Sequence, residues 1–479
     1  MPEYLAKDEN LLARLDRMPI TKTTIGILIL LALVWLAEAF DIGIVGTVIT
    51  ILKKSWDLSG SQQGLLGIAS TLGVVLGMVP AGILADRFGR KRTVLLGIAF
   101  FSIITLLGAF VNNFAILIAI RFLAGIGEGA VLPMPYLFLS EFIRTKRRAV
   151  SVGYANGILT AAYLLPNLVG AYAISTFSAD IAWRIPFLLG AIPLLLILPL
   201  AKWLPESPRF LLKKGRHAEV ERLIERLEKE ANLPHDTTLI NKRALVVIQK
   251  GANVQPSWST LFQAPYLSRA VIATLQLTAA LVLFYILQVF GPLLLINRGI
   301  GSSNSMIDIG LMMLTAGLGS IIQGYLADRY GRKITLTIYF TLAAFGSLLF
   351  ALSTVSALTL LAAFLTSFFG LGVFPVSKLT VAEQYPTRLR GKGVYMDEMT
   401  ARLVSGVVTV FFIPVLLTAF GNTWIFVGIA FVLLVFSLPI VLFGRETANI
   451  SVEEAGSDLS FEHIDRELSL DDHQVTSLR

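Results

Sequence analysis

Five ionisable residues sit inside long apolar runs of this chain: Glu38, Asp41, Arg121, Glu128 and Arg402. A charge at the centre of a membrane helix costs about 2.5–3.5 kcal/mol on insertion scales, so each needs a reason. Glu38 and Asp41 share a helix face at three-residue spacing. Arg121 and Glu128 share another face, two turns apart. Counted from the outer edges at the helical rise, Glu38 and Glu128 lie about 21 Å deep, Asp41 about 16 Å and Arg121 about 10 Å. A carboxyl in a low-dielectric cavity is driven toward its neutral form, and a nearby arginine draws it back to the anion. Changing that distance changes proton affinity, so Asp41 and Glu128 are candidate proton sites and Glu38 a further one. A static Asp41–Arg121 pair fits the same pattern, and Glu128 also fits as a partner of Arg121 or a substrate contact. Arg402 cannot be neutralised and binds carboxylates through a planar fork; a pair with Glu398, four residues earlier, is its alternative use. The four histidines, His217, His235, His463 and His473, lie outside the apolar runs, which leaves membrane proton chemistry to carboxylates.

The surrounding sequence says what must position these groups. Of 479 residues, 55% are hydrophobic and 15% charged, against about 25% charged in a soluble domain. That excludes a soluble enzyme, a disordered chain and a basic nucleic-acid binder. Twelve apolar spans are predicted, over 24–52, 62–86, 93–112, 114–140, 149–176, 184–204, 267–295, 304–327, 334–353, 356–383, 393–419 and 422–443. They divide the chain into a segment 1–23, a six-helix half 24–204, a linker 205–266 with short helices, a second half 267–443, and an acidic tail 444–479 expected to be disordered. The absence of cysteine removes disulfides and thiolate metal sites. The polar N-terminus shows no cleavable signal pattern. The loops after spans two, four, eight and ten carry fourteen positive charges. By the positive-inside rule those loops, the linker and both termini are cytoplasmic.

GILADRFGRK at 82–91 recurs as GYLADRYGRK at 324–333, and Glu141 and Arg148 recur as Glu383 and Arg390, all offset by 242 residues. One offset for two motifs implies two homologous halves related by an axis along the membrane normal. Asp86, Arg87, Arg90, Asp328, Arg329 and Arg332, with Glu141, Arg148, Glu383 and Arg390, are expected to form salt bridges that hold the halves together and break on opening. Serving only as topology anchors is their other reading. Asp397 and Glu398, about 7–9 Å from the inner edge of span eleven, are assigned to the same gate.

The doubled G-x-x-x-D-R-x-G-R-K resembles the signature of the major facilitator superfamily. The runs Glu383-x-x-Pro386-x-x-x-Arg390-Gly391 and Pro205-Glu206-Ser207-Pro208-Arg209 resemble its sugar-porter and organic-ion branches. RLDRMP at 14–19 before AEAFDIGIVG resembles bacterial niacin-permease-like proteins, and RGKGVYMDEMTARLVSG at 390–406 resembles span eleven of organic-ion transporters. The first copy departs at Arg144 and Ala149, where Pro and Gly are expected. The resemblance implies an all-α membrane protein, twelve transmembrane helices in two homologous six-helix halves, with spans one, four, seven and ten lining a cavity. It also implies proton coupling through the span-one acid and Arg121, and anion contact at Arg402.

Tyr136, Asn156, Tyr163, Asn167, Gln276, Tyr285 and Gln288 complete the candidate substrate contacts. Gly291-Pro292 and Pro375 are candidate bends, and Lys378, near the cytoplasmic end of span ten, is expected to snorkel outward. The function expected is a proton-coupled symporter of a small organic anion, such as an aromatic monocarboxylate like nicotinate, working by alternating access. A sugar or polyol symporter and a non-transporting receptor of the same fold are the alternatives. No cofactor, metal or nucleic acid enters this reading. The partners are a small-molecule substrate, protons and the lipid bilayer, for a monomer in a bacterial or archaeal plasma membrane.

Overall fold

The computed structural model describes residues 3–142, 148–236, 257–353 and 356–448. Every element among them is helical. Eleven stretches are long and apolar enough to cross a membrane: Lys22–Lys53, Gly60–Phe88, Arg90–Gly108, Phe114–Phe138, Ala149–Thr176, Ala179–Trp203, Tyr266–Ile296, Ser302–Tyr330, Arg332–Leu352, Ala357–Glu383 and Leu389–Phe443. The last has 55 residues, about 80 Å of helix, which is more than two bilayer cores. Gly421 breaks it with φ 77° and ψ 176°, so eleven stretches make twelve crossings. They are called spans one to twelve in chain order.

Local sequence explains the ends and the breaks. Ser59 and Gln62 form a reciprocal cap at the start of span two, and Asn113 accepts from the Ile116 amide before span four. Span four divides into Phe114–Val131 and Met134–Phe142 around Pro133. Span ten divides into Ser356–Gly370 and Phe374–Glu383, with Pro375 in the first turn of the second part. Span seven passes through a π-helical turn, Ile286–Phe290, just before Gly291-Pro292. Span eleven has another, Leu403–Thr409, directly after Arg402. Such turns relax the backbone ladder and are frequent where a helix borders a functional site.

The halves meet along spans five and eight, where a Cβ on Gly317 would lie 2.6 Å from the carbonyl of Gly157. Only glycine lets these backbones approach so closely. Spans two and eleven meet as well, where a Cβ on Gly64 would lie 3.0 Å from the Phe411 carbonyl, and the Gln288 amide of span seven donates to the Gly43 carbonyl of span one at 3.2 Å. The halves therefore touch on both sides of the centre.

Outside the spans, helix Glu3–Asp16 packs Leu11 and Leu15 against Val220, Ile224 and Leu227 of helix His217–Ala231. Buried Arg14 holds Glu228 bidentately, at 2.9 and 2.6 Å. Arg17 adds a bond at 2.6 Å. Burial alone would raise the Glu228 pKa, but the bonds from Arg14 and Arg17 outweigh it and hold the carboxyl below its ordinary range.

The tail requires a correction. Residues 444–448 are in place: Glu446 accepts from the amides of Arg332 and Lys333 at 2.9 and 3.2 Å, and the Thr447 hydroxyl donates to Glu383. Glu206 and Ser207 do the same in the first half. Glu206 accepts from the amides of Arg90 and Lys91 at 2.9 and 3.2 Å, and Ser207 donates to Glu141 at 2.6 Å. Each acid neutralises the positive N-terminal end of a helix, just after Gly89 or Gly331, whose φ of 100° or 99° no side-chain-bearing residue adopts cheaply. The rest of the tail, 449–479, lies outside the described residues.

Candidate functional site

Two buried charge clusters occupy the membrane interior. In the first, Asp41 is fully engaged: Arg121 Nη1 donates to Oδ2 at 2.9 Å and the Thr105 hydroxyl to Oδ1 at 2.5 Å. Arg121 Nη2 also donates to the Asp41 carbonyl at 3.0 Å and stands 3.6 Å from Glu128. Both carboxyl oxygens of Glu128 are buried without a hydrogen bond. Glu128 borders a small void with Ser70, Thr71, Tyr285 and Gln288. Spans one and four supply the charges of this cluster and span three the Thr105 hydroxyl, all from the first half.

The second cluster joins the halves. Trp35 and Glu38 of span one, Tyr136 of span four, Asn156, Thr160 and Tyr163 of span five, Phe284 of span seven, Phe374 and Lys378 of span ten, and Arg402 of span eleven line one cavity. Arg402 Nε bonds Glu398 at 3.2 Å and Nη1 donates to the Tyr285 hydroxyl at 2.9 Å. Lys378 Nζ lies 3.3 Å from the other Glu398 oxygen and 4.4 Å from the centre of the Tyr136 ring. The Tyr136 ring packs against Trp35, tilted by 55° with centroids 4.5 Å apart, and its hydroxyl donates to Asn156 at 2.6 Å. Glu38 is 2% exposed, and its Oε2 has no hydrogen-bond partner. The cavity holds about 40 Å³ of water-sized free space. That is room for a few waters, whereas a cavity of about 150 Å³ takes a benzene ring. This is a closed form that must widen to admit an aromatic ligand.

Several expected roles change place. Lys378 does not snorkel: its side chain is 11% exposed and turned into the cavity. Glu398 is the shared anion between Lys378 and Arg402, not a gate on the charged face. Asp397 accepts from Tyr385 at 2.8 Å and Thr274 at 3.1 Å, which ties the second half together internally. Asn167 donates to the carbonyl of Tyr163 in its own helix at 2.8 Å, and Gln276 to Ser377 and Thr380 at 3.2 and 2.7 Å. Both are packing contacts away from the cavity lining, and Gln288 serves the span one–seven contact.

On the charged face, Arg90 pairs with Glu141 and Arg332 with Glu383. Each pair lies within its own half, so neither is the bridge between the halves that was expected of these residues. The two aspartates differ. Asp328 accepts from the Val150 amide across the halves at 3.1 Å and lies 3.4 Å from Arg332. Asp86 is 80% exposed at its side chain, and among the described residues its ion-pair partner is Lys213 of the linker at 3.7 Å. Arg87 and Arg329 lie over the neighbouring rings of Phe88 and Tyr330. Arg390 stands in the first turn of helix Thr387–Arg402; the Arg148 side chain lies outside the described residues.

Depth counting misplaced two residues of this cluster, Lys378 and Glu398. Glu206 and Glu446 escaped the repeat because their offset is 240 residues, not 242.

The family model described as "Sugar (and other) transporter" matches residues 27–459. The chain belongs to this family. It is a transporter, not an enzyme, and a multi-pass integral membrane protein. It is 28% identical over 447 residues to the niacin transporter of Acinetobacter baylyi, covering 93% of this chain and 100% of that one. To an inner membrane metabolite transport protein of Escherichia coli it is 30% identical, with 92% and 97% covered. To the benzoate transport protein of A. baylyi it is 28% identical, with 69% and 70% covered. Its fold matches the proton:xylose symporter of E. coli, a major facilitator superfamily protein, at a TM-score of 0.76 and 19% identity, covering 90% and 98%. The transporter therefore has the major facilitator fold.

Proposed function

We propose that this transporter is a proton-coupled symporter of a small aromatic monocarboxylate, of the nicotinate or benzoate class, working by alternating access. The observation that carries the proposal is the central cavity, where Arg402 and Lys378 project among Trp35, Tyr136, Tyr163, Phe284 and Phe374. A fork-shaped cation suits a carboxylate, and aromatic walls suit a flat ring. A sugar site would want many amide and hydroxyl donors, and Asn156 and Thr160 are few. The niacin and benzoate carriers among its relatives support the same class.

The proton is carried by Glu38. Its Oε2, buried without a hydrogen bond, can exchange a proton without first breaking one. Asp41, Arg121 and Glu128 belong to the same coupling group and fix the field around it. The chain acts as a monomer, with both termini in the cytoplasm of a bacterial or archaeal cell, as the positive loops favour.

A thermal-shift screen of the purified protein against aromatic carboxylates, sugars and amines tests this reading. Stabilisation by nicotinate or benzoate, with none by nicotinamide, is expected, because a ligand that binds only the folded state raises its melting temperature. Stabilisation by a hexose or polyol alone would replace the anion reading with a sugar porter.

A further inference from the structure

We infer that Lys378 is a second anion-binding residue, and that Glu38, Lys378, Glu398 and Arg402 form a four-charge box that takes up one proton with each monoanion. The inference rests on the aromatic-anion reading above.

The geometry supplies a charge count. Glu398 sits between two cations, 3.3 Å from Lys378 Nζ and 3.2 Å from Arg402 Nε. All three side chains are at most 11% exposed. Two cations and one carboxylate leave one uncompensated positive charge in a cavity with little water. Glu38 lines the same cavity with Lys378 and Arg402. When Glu38 is ionised the box is neutral. When it carries a proton the box is positive by one charge, and a monoanion restores neutrality. Charge in low dielectric is expensive unless paired, so the empty box favours ionised Glu38 and the loaded box favours protonated Glu38. The proton comes from bulk water and binds one Glu38 oxygen; no bond in the substrate changes.

The other groups facing Glu38 do not upset the count. Tyr136 of span four, Tyr163 of span five and Tyr285 of span seven bring neutral hydroxyls. Asp41, one turn along span one, is turned toward Arg121 and Thr105, where its charge is already balanced.

Lys378 has a distinct part. Its ammonium stands over the Tyr136 ring at 4.4 Å, within the aromatic walls where a flat ligand must enter. A carboxylate arriving there draws Lys378 off the ring and frees the ring face for stacking. Closure of the empty cavity and recognition of the anion then use the same side chain.

The test uses the full-length protein in detergent and nicotinate as probe. Affinity is measured by calorimetry across pH, and proton uptake by an indicator dye in weak buffer. Wild type should take up one proton per nicotinate bound, at a pH where empty-box Glu38 is ionised. Glu38→Gln, a mimic of the protonated acid, should bind with no proton uptake and with less pH dependence. Lys378→Ala should bind at least about tenfold more weakly, and Lys378→Arg should recover most of that loss. Melting temperatures of the ligand-free variants separate lost recognition from lost folding. Unchanged proton uptake in Glu38→Gln, or wild-type affinity in Lys378→Ala, overturns the inference and leaves the anion reading intact. No binding of any aromatic carboxylate to wild type overturns both.

Discussion

The two buried clusters differ in which half supplies their charges. Asp41, Arg121 and Glu128 come from spans one and four, and Thr105 completes the set from span three. Glu38, Lys378, Glu398 and Arg402 come from spans one, ten and eleven, on both sides of the divide. If the halves rock as rigid bodies, the ion pairs of the first cluster travel intact, with only the void beside Glu128 facing Tyr285 and Gln288 of the second half, while the second cluster must be pulled apart and remade. A group whose surroundings change during transport can couple proton and substrate; one whose surroundings travel with it can only hold a field. The comparison teaches that burial and charge do not by themselves mark a coupling site. Straddling the moving boundary does.

The largest expected effect is at Arg402. Arg402→Ala removes one partner of a buried charged hydrogen-bond set, which typically costs about 2–5 kcal/mol. Nicotinate affinity should fall by more than tenfold, with Arg402→Lys intermediate because lysine keeps the charge and loses the fork. Equal affinity in all three proteins would mean that Arg402 serves only Glu398 and Tyr285, and the second cluster would become as static as the first.

Asp41→Asn should act differently. It leaves buried Arg121 with only the more distant Glu128, at 3.6 Å, so the expected result is a lower melting temperature, by an amount matching at most about 3–5 kcal/mol. Glu38→Gln should lower proton-driven accumulation and leave stability near wild type. If Asp41→Asn is as stable as wild type yet fails to accumulate substrate while still exchanging it, coupling belongs to the first cluster and the contrast is reversed.

A smaller effect distinguishes the two copies of the charged-face motif. Asp328 bonds across the halves, whereas Asp86 is an exposed partner of Lys213, and exposed pairs contribute about 0–1 kcal/mol. Asp328→Asn should increase labelling of single cysteines placed along the inner part of the cavity, in a chain that has no native cysteine. Asp86→Asn should leave labelling near wild type. Equal increases would show that both copies latch the halves during the cycle.

Least coupled to transport is the Arg14–Glu228 clamp outside the spans. The folded-state pKa of Glu228 is lowered from its ordinary 4.5, so its contribution is present above that value and is lost as pH falls through the folded pKa. Hydrogen exchange of residues 3–16 should be protected at neutral pH and rise on acidification toward pH 4 and below. Glu228→Gln should remove that protection at neutral pH without altering nicotinate affinity.

Much of this was legible in the sequence. Apolar length gave the spans, and the 242-residue offset gave the halves, but it did not tell that Arg90–Glu141 and Arg332–Glu383 pair within each half rather than between them. Spacing on spans one and four brought Asp41 to Arg121. What escaped had physical reasons. Depth along a helix placed Lys378 near water, but it cannot tell which helices close over that end. Glu398 was assigned to a gate by the same ruler, while its partner lay on another span. Asp86 and Asp328 share the run Ala-Asp-Arg-x-Gly-Arg-Lys and have different neighbours: a linker lysine for the first and the Val150 amide of the other half for the second. Composition described an acidic tail and could not reveal that its first few residues cap span nine.

The most direct test is made in proteoliposomes clamped at zero membrane potential, with a pH dye in the lumen and nicotinate added outside. Wild type should acidify the lumen as labelled nicotinate enters, one proton per anion, and Glu38→Gln should exchange nicotinate with no acidification. Entry of nicotinate without protons in wild type, or proton entry driven by a sugar and not by nicotinate, would contradict the account.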